Sequence, residues 1–318
     1  MLLSLLFTAA IAATPIEVAT GDGANLQRPI WSPNGEYLSY ESNHHEERHI
    51  SLYVGSPFYG GFNQVTPPAH VSAMTAGFAT KRKAHVVHEL SWAPDSTQFC
   101  YAATSPNGDS DIFLSSGVLL VSSPHTDDGP VWSPTGEKIL FTSSRSGLGD
   151  LYITDMTGRV KALPSNPHAS DMSPTWSPDG HTYLWVSDGK HGSEITIGTL
   201  ENNAPRPVVN LKGDQLRPTF SPDGKWIAFY TSAPNETSFN LVVTDIKQQT
   251  TAITVANNVR VNSNGPVWTP DSTQLILVMR DEENFDPVFS VLRTGKRLTK
   301  LETGTVNNRD IALSSRNN

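Results

Sequence analysis

Six near-copies of one pentapeptide run through this chain: Trp31-Ser-Pro-Asn-Gly, Trp92-Ala-Pro-Asp-Ser, Trp132-Ser-Pro-Thr-Gly, Trp176-Ser-Pro-Asp-Gly, Phe220-Ser-Pro-Asp-Gly and Trp268-Thr-Pro-Asp-Ser. Successive aromatic residues lie 61, 40, 44, 44 and 48 positions apart. That is the period of a four-stranded propeller blade, a unit too small to bury both of its own faces and so forced to stack on its neighbours. A worn seventh copy, Arg309-Asp310-Ile311-Ala312-Leu313-Ser314-Ser315, puts Leu313 in the aromatic place 45 residues after Trp268. The expected fold is all-β, a six-bladed β-propeller of four-stranded antiparallel blades. Seven blades with an incomplete last one is the alternative.

Within each copy the residues specify a hairpin. Pro brings the fixed φ of a turn's second position, Asp or Asn suits the third, and Gly the fourth. The strand that follows is apolar, as in Ile139-Leu-Phe141, Ile227-Ala-Phe229 and Leu275-Ile-Leu-Val278, which suits a sheet covered on both faces. The aromatic residue is expected to wedge between adjacent blades. The repeated word therefore builds scaffold. Asp boxes of the sialidase type are excluded, because there a residue separates Asp from Gly and the aromatic follows them. A fused α/β-hydrolase is excluded by the missing Gly-x-Ser-x-Gly elbow.

Composition narrows the partners. A net charge of -8, spread without long runs, disfavours nucleic acid, and Lys81-Arg82-Lys83 is too short to form a phosphate-binding patch. Cys100 is the sole cysteine, which rules out an intrachain disulfide, and its strand-like setting suggests a packing role. The apolar run from Leu2 to Ala13 ends in small residues and is too short to span a bilayer. It is expected to be a signal peptide over residues 1–13, although no Lys or Arg precedes it, and a buried first strand is the other reading. After cleavage, residues 14–318 form a single domain with no membrane-spanning segment, periplasmic or secreted and monomeric.

Further residues carry a family resemblance: Pro-x-Trp-Ser-Pro-Asp-Gly, then Ser-x-Arg-x-Gly around Ser144-Arg145-Ser146-Gly147, then Asp150-Leu-Tyr-Ile-Thr-Asp155. The pattern resembles the propeller of the TolB family, periplasmic components of the Tol-Pal envelope system, from about Asn25 onward. That family places an α/β domain ahead of its propeller. Here the first Trp word stands about eighteen residues after the expected cleavage site. The resemblance implies a non-catalytic module that docks a protein of the cell envelope, with the peptidoglycan-associated lipoprotein as candidate. Arg145, Lys81 and Arg82 are the expected partner-binding residues.

The interval from Trp31 to Trp92 is some fifteen to twenty residues too long, which places an insertion at about 67–89. It carries His70, His85 and His88, expected on the same propeller face as His44, His45 and Glu46. Neutral imidazoles and a carboxylate are ligands for a divalent metal, the only cofactor the sequence suggests. His44, His45, His70, His85 and His88 are thus candidate metal ligands, and a metal-dependent oligosaccharide lyase or hydrolase is an alternative function. A polar solvated loop is the plain reading of the same residues. A small-ligand sensor in the central channel is the third possibility. Asn107-Gly-Asp109-Ser-Asp111 lacks the length of a calcium loop and reads as a turn.

Overall fold

The computed structural model describes residues 2–7, 16–18, 26–42, 51–66, 86–104, 108–201, 204–232, 238–247, 252–283, 285–301 and 308–314. Its six repeated words, five on Trp and one on Phe, belong to six four-stranded antiparallel sheets, making the chain an all-β six-bladed propeller. The inner strands are Leu26–Trp31, Val86–Trp92, Asp127–Trp132, Ser170–Trp176, Gln215–Phe220 and Val267–Trp268, for blades 1 to 6 in order. Each blade then runs outward through three further strands in simple succession.

All six words form the expected turn. The fifth residue donates its N–H to the carbonyl of the second, as in Gly35 to Ser32, Ser96 to Ala93 and Ser272 to Thr269, at 2.8–2.9 Å. That fifth residue has φ between 60° and 78° in every blade, and Gly occupies it in four. Where Ser stands instead, its hydroxyl reaches the preceding blade's word. Ser96 Oγ accepts the Asn34 N–H, and Ser272 Oγ accepts the Asp223 N–H, both at 3.0 Å. The glycines also touch the preceding word, since a Cβ at Gly180 would meet Thr135 Cγ2 at 2.9 Å. The words thus form an unbroken run of contacts from blade 1 to blade 6.

The aromatics wedge between blades as expected. Trp132 packs on Cys100, Ile112 and Leu114 of blade 2, Trp176 on Leu140, Leu151 and Ile153 of blade 3, and Trp268 on Tyr230 and Leu241 of blade 5. Trp176 donates Nε1–H to the Val131 carbonyl at 3.1 Å, tying its indole to the inner strand of the blade before. Cys100 is buried in this packing, and burial raises its thiol pKa far above the ordinary range.

A three-stranded sheet closes the ring. It joins Ile16–Val18, Leu2–Phe7 and Asn308–Ser314, the last two running parallel. Asn308–Ser314 packs against the inner strand of blade 1 on one side and against blade 6 on the other. The worn seventh copy of the word thus supplies one strand of this sheet and Ile16–Val18 another. Leu2–Phe7, within the span read as a signal peptide, lies between them. Asp310 locks the seam: its carboxylate accepts the Arg28 N–H of blade 1 at 3.0 Å and the Ser263 N–H ahead of blade 6 at 2.7 Å.

Candidate functional site

The inner strands share a second irregularity, nearer the axis. Blades 1 to 5 have a bulge between the inner strand and its neighbour, placed so that the strand skips a Pro in blades 1, 3, 4 and 5. Proline has no N–H to give a ladder, so a bulge accommodates it. The residue three before the word's aromatic then takes a left-handed conformation: Arg28 (φ 53°), Glu89 (54°), Gly129 (59°), Ser173 (53°), Arg217 (53°) and, in blade 6, Gly265 (88°). For a residue with a Cβ this conformation costs about 1 kcal/mol or more. Four blades keep a side chain there, three of them charged. Arg28, Glu89, Ser173 and Arg217 all line an axial cavity of about 690 Å³ to which every blade's inner strand and the seam contribute.

On one wall the charges are tied together. Arg28 Nη1 lies 2.6 Å from Glu89 Oε1 and 3.5 Å from Glu41 Oε1. Glu41, on the second strand of blade 1, is almost fully buried. Its carboxylate also accepts the Glu89 N–H at 2.9 Å and the Gln27 Nε2–H at 3.0 Å. A buried carboxylate with three donors is a stable arrangement, whereas one stripped of them is not.

The bulge also gathers ligand-type atoms. His88 and Glu89 are consecutive and would point to opposite faces of a regular strand. With Glu89 in the left-handed region, both converge with Asp128 of blade 3, so that one ligand atom from each lies within 4.8 Å of the others. His88 Nδ1 is 3.5 Å from Asp128 Oδ1, and its Nε2 is 3.1 Å from Thr104 Oγ1, a contact that fixes the ring plane. Burial and the neighbouring Glu89 charge raise Asp128 to about 7. Burial would raise Glu89 too, but the Arg28 guanidinium outweighs it and holds Glu89 below the ordinary value. Burial thus favours the neutral form of Asp128, whereas Arg28 favours the ionised form of Glu89.

Arg217 stands apart. Three steps round the axis from it lead in one direction to Glu89 of blade 2, and in the other, through blade 6 and the seam, to Arg28 of blade 1. Its Nη1 donates to Ser173 Oγ at 3.4 Å. Among the described residues no carboxylate lies within ion-pair distance of it. Burial and then the Arg28 charge lower its pKa.

Of the residues singled out from sequence, His88 and Arg145 are described; His44, His45, His70, His85, Lys81 and Arg82 lie outside the described residues. His88 sits in the inner strand of blade 2, which begins at Val86, inside the range read as insertion. Arg145 lies within the 3-10 turn Ser144–Ser146, which Ser143 caps. Its Nη2 lies 2.6 Å from the buried Asp127, its Nε donates to Ser143 Oγ, and its guanidinium covers the Tyr152 ring at 4.9 Å. Sequence reasoning missed Arg28, Glu41, Glu89, Asp128 and Arg217. A signal was present in the column three before each aromatic, where the residue varies and is repeatedly charged beside a recurrent Pro.

Residues 150–282 match the family model described as the TolB beta propeller domain. This stretch of the chain is similar to a TolB β-propeller domain. TolB from Acinetobacter baumannii superposes with a TM-score of 0.57 at 19% identity, over 95% of this chain and 68% of that one. Oligogalacturonate lyase from Vibrio parahaemolyticus gives 0.63 at 12% identity, over 94% and 84%, and a puromycin hydrolase 0.67 at 13%, over 96% and 52%. At such identities these likenesses speak for the fold. No curated protein matches the sequence. The TolB-like propeller is thus shared with both TolB proteins and enzymes. Among the described residues, no helix is long and apolar enough to cross a membrane.

Proposed function

We propose that this TolB-like propeller is an exported, non-catalytic binding module that takes a segment of a cell-envelope protein into the mouth of its axial channel. The carrying observation is the ring of bulge residues. A pure scaffold would place Gly at every left-handed position, as blades 3 and 6 do, yet Arg28, Glu89 and Arg217 hold charges there, all lining one cavity. Strain kept at a concave site is a mark of binding function. The TolB likeness supports a periplasmic setting and makes the peptidoglycan-associated lipoprotein the candidate partner. Arg145, Lys81 and Arg82 are kept as candidate contacts for such a partner. N-terminal sequencing of the exported chain tests the cleavage at residue 13.

A photo-crosslinker at Met172, an exposed residue lining the cavity, tests the docking. Capture of the lipoprotein from Met172, and none from the equally substituted Tyr59 in a blade 1 turn, is the expected result. Equal capture from both positions, or from neither, defeats the reading.

The convergence of His88, Glu89 and Asp128 favours a second reading, a divalent metal site serving an oligosaccharide lyase or hydrolase. The fold shared with an oligogalacturonate lyase is compatible with it. Elemental analysis of protein purified without chelator or affinity tag decides, since a lack of stoichiometric metal removes the mechanism.

A further inference from the structure

Two arginines occupy the same bulge position, and their surroundings differ. Arg28 has its charge answered by Glu89 at 2.6 Å and Glu41 at 3.5 Å. Arg217 faces the same cavity with Ser173 Oγ as its described side-chain partner. That hydroxyl accepts from the guanidinium, so its own proton is left to donate. The corner between blades 4 and 5 therefore presents a planar fork of N–H donors and one O–H donor. Such a set is complementary to an oxyanion.

The rest of the cavity selects the anion. Across the axis stand Glu41 and Glu89, with Arg28 among them, so a dianion would meet repulsion that a single negative charge largely escapes. Ile30, Leu90, Val131, Met172 and Val267 add apolar surface to a lining that also carries Asp128, Thr175 and Thr219. A volume of about 690 Å³ exceeds what one isolated acid group fills and suits a short stretch of chain with apolar groups beside the charge.

We infer that the Arg217–Ser173 corner is a carboxylate site, occupied by an Asp or Glu side chain or a chain terminus of a peptide segment entering the channel. The inference rests on the channel-mouth reading above and names the chemistry of what docks there. Arg217 forms a bidentate pair with the carboxylate, Ser173 adds one hydrogen bond, and the flanking residues of the segment cover the apolar lining.

The test is a calorimetric titration of the full chain at low ionic strength with three probes. These are an acetylated, amidated Ala-Glu-Ala tripeptide, its Ala-Gln-Ala counterpart, and sodium glucuronate. The Glu tripeptide is expected to bind the native chain, with about tenfold weaker binding of the Gln tripeptide and an equal loss in Arg217→Gln. Arg217→Lys is expected to recover part of the affinity, and thermal melting should show both variants folded. Equal affinity for Glu and Gln tripeptides, an unaffected Arg217→Gln, or no binding of any probe overturns the inference. Glucuronate binding that depends on Arg217 while the tripeptides fail overturns the peptide source and assigns the site to a sugar acid. If crosslinking from Met172 persists in Arg217→Gln while the titration fails, the channel-mouth reading stands and the carboxylate assignment alone falls.

Discussion

Two rings of left-handed residues encircle this molecule, and they are filled by opposite rules. In the turn ring, the fifth residue of each word has φ of 60–78° and is Gly or Ser in all six blades. In the channel ring, the bulge residue has a similar φ of 53–59° in five blades and 88° in the sixth, and is Arg, Glu, Gly, Ser, Arg and Gly in turn. The same backbone strain is minimised in one ring and tolerated in the other. Small residues kept where blades touch mark a packing constraint; costly, varied side chains kept round a cavity mark a use for those side chains.

The sharpest way to break this contrast is to cut the tie between the rings' surroundings. Glu41→Ala should cost about 3–5 kcal/mol in chemical denaturation, because it leaves the Arg28 guanidinium, the Glu89 N–H and Gln27 without their buried acceptor. Glu41→Gln, which keeps an acceptor, should cost clearly less. A loss under about 1 kcal/mol for Glu41→Ala would show that the charged wall is not held from behind.

In the turn ring, Gly180→Ala should cost about 2–3 kcal/mol, combining left-handed strain at φ 72° with a Cβ placed 2.9 Å from Thr135 Cγ2. Equilibrium urea melts would show it. The substitution is chemically minor, so a neutral result would refute the packing account of that ring.

Two residues before the bulge, blades 3 and 4 offer a further contrast. Asp127 has Arg145 beside it, whereas Asp171, equally buried, has Gly189 at the matching place and no ion-pair partner among the described residues, and burial raises it to about 6. An acid raised in the folded state is still protonated there when the unfolded chain has ionised. Its presence therefore lowers stability as pH climbs from about 4 to about 6, with no further change above. Asp171→Asn should remove that slope, gaining about 2 kcal/mol over the native chain at pH 8 and nothing at pH 4. Melting curves across pH that stay parallel for both proteins would contradict it.

The smallest effect is the most diagnostic. Arg217→Gly relieves left-handed strain of about 1 kcal/mol and adds unfolded-state freedom of similar size, so stability should change by less than about 0.5 kcal/mol. Arg28→Gly strips Glu41 and Glu89 of their cation and should be destabilising by about 2 kcal/mol or more. Equal effects at the two positions, read in parallel denaturation curves, would erase the distinction drawn between the arginines.

The scaffold was legible in the sequence because its determinants repeat. Trp, Ser, Pro and Gly recur at fixed offsets, each with a local job that needs no distant partner. The worn seventh copy, with Leu313 in the aromatic place, likewise signalled a strand beyond the six full repeats. The site was not legible for the converse reason. Histidines drew attention because they cluster along the chain, yet His88 meets Asp128 across 40 positions, and Arg28 meets Glu89 across 61. What brings them together is a bulge that turns consecutive side chains to one side, a feature that a period-two reading of a strand does not contain.

Asp310 gives the ring a property that a linear stack of repeats lacks. In an open array the terminal units have one neighbour and fray first. Here one carboxylate grips amides on both flanks of the seam, so the first and last blades each gain the second neighbour that their position in the chain denies them. The end at which unzipping could begin is held by this side chain together with the Asn262–Ile311 and Asn264–Pro29 hydrogen bonds and the packing of Ile311. Amide exchange in Asp310→Ala should then spread outward from the seam into blades 1 and 6, turning a closed circle into a line with two ends.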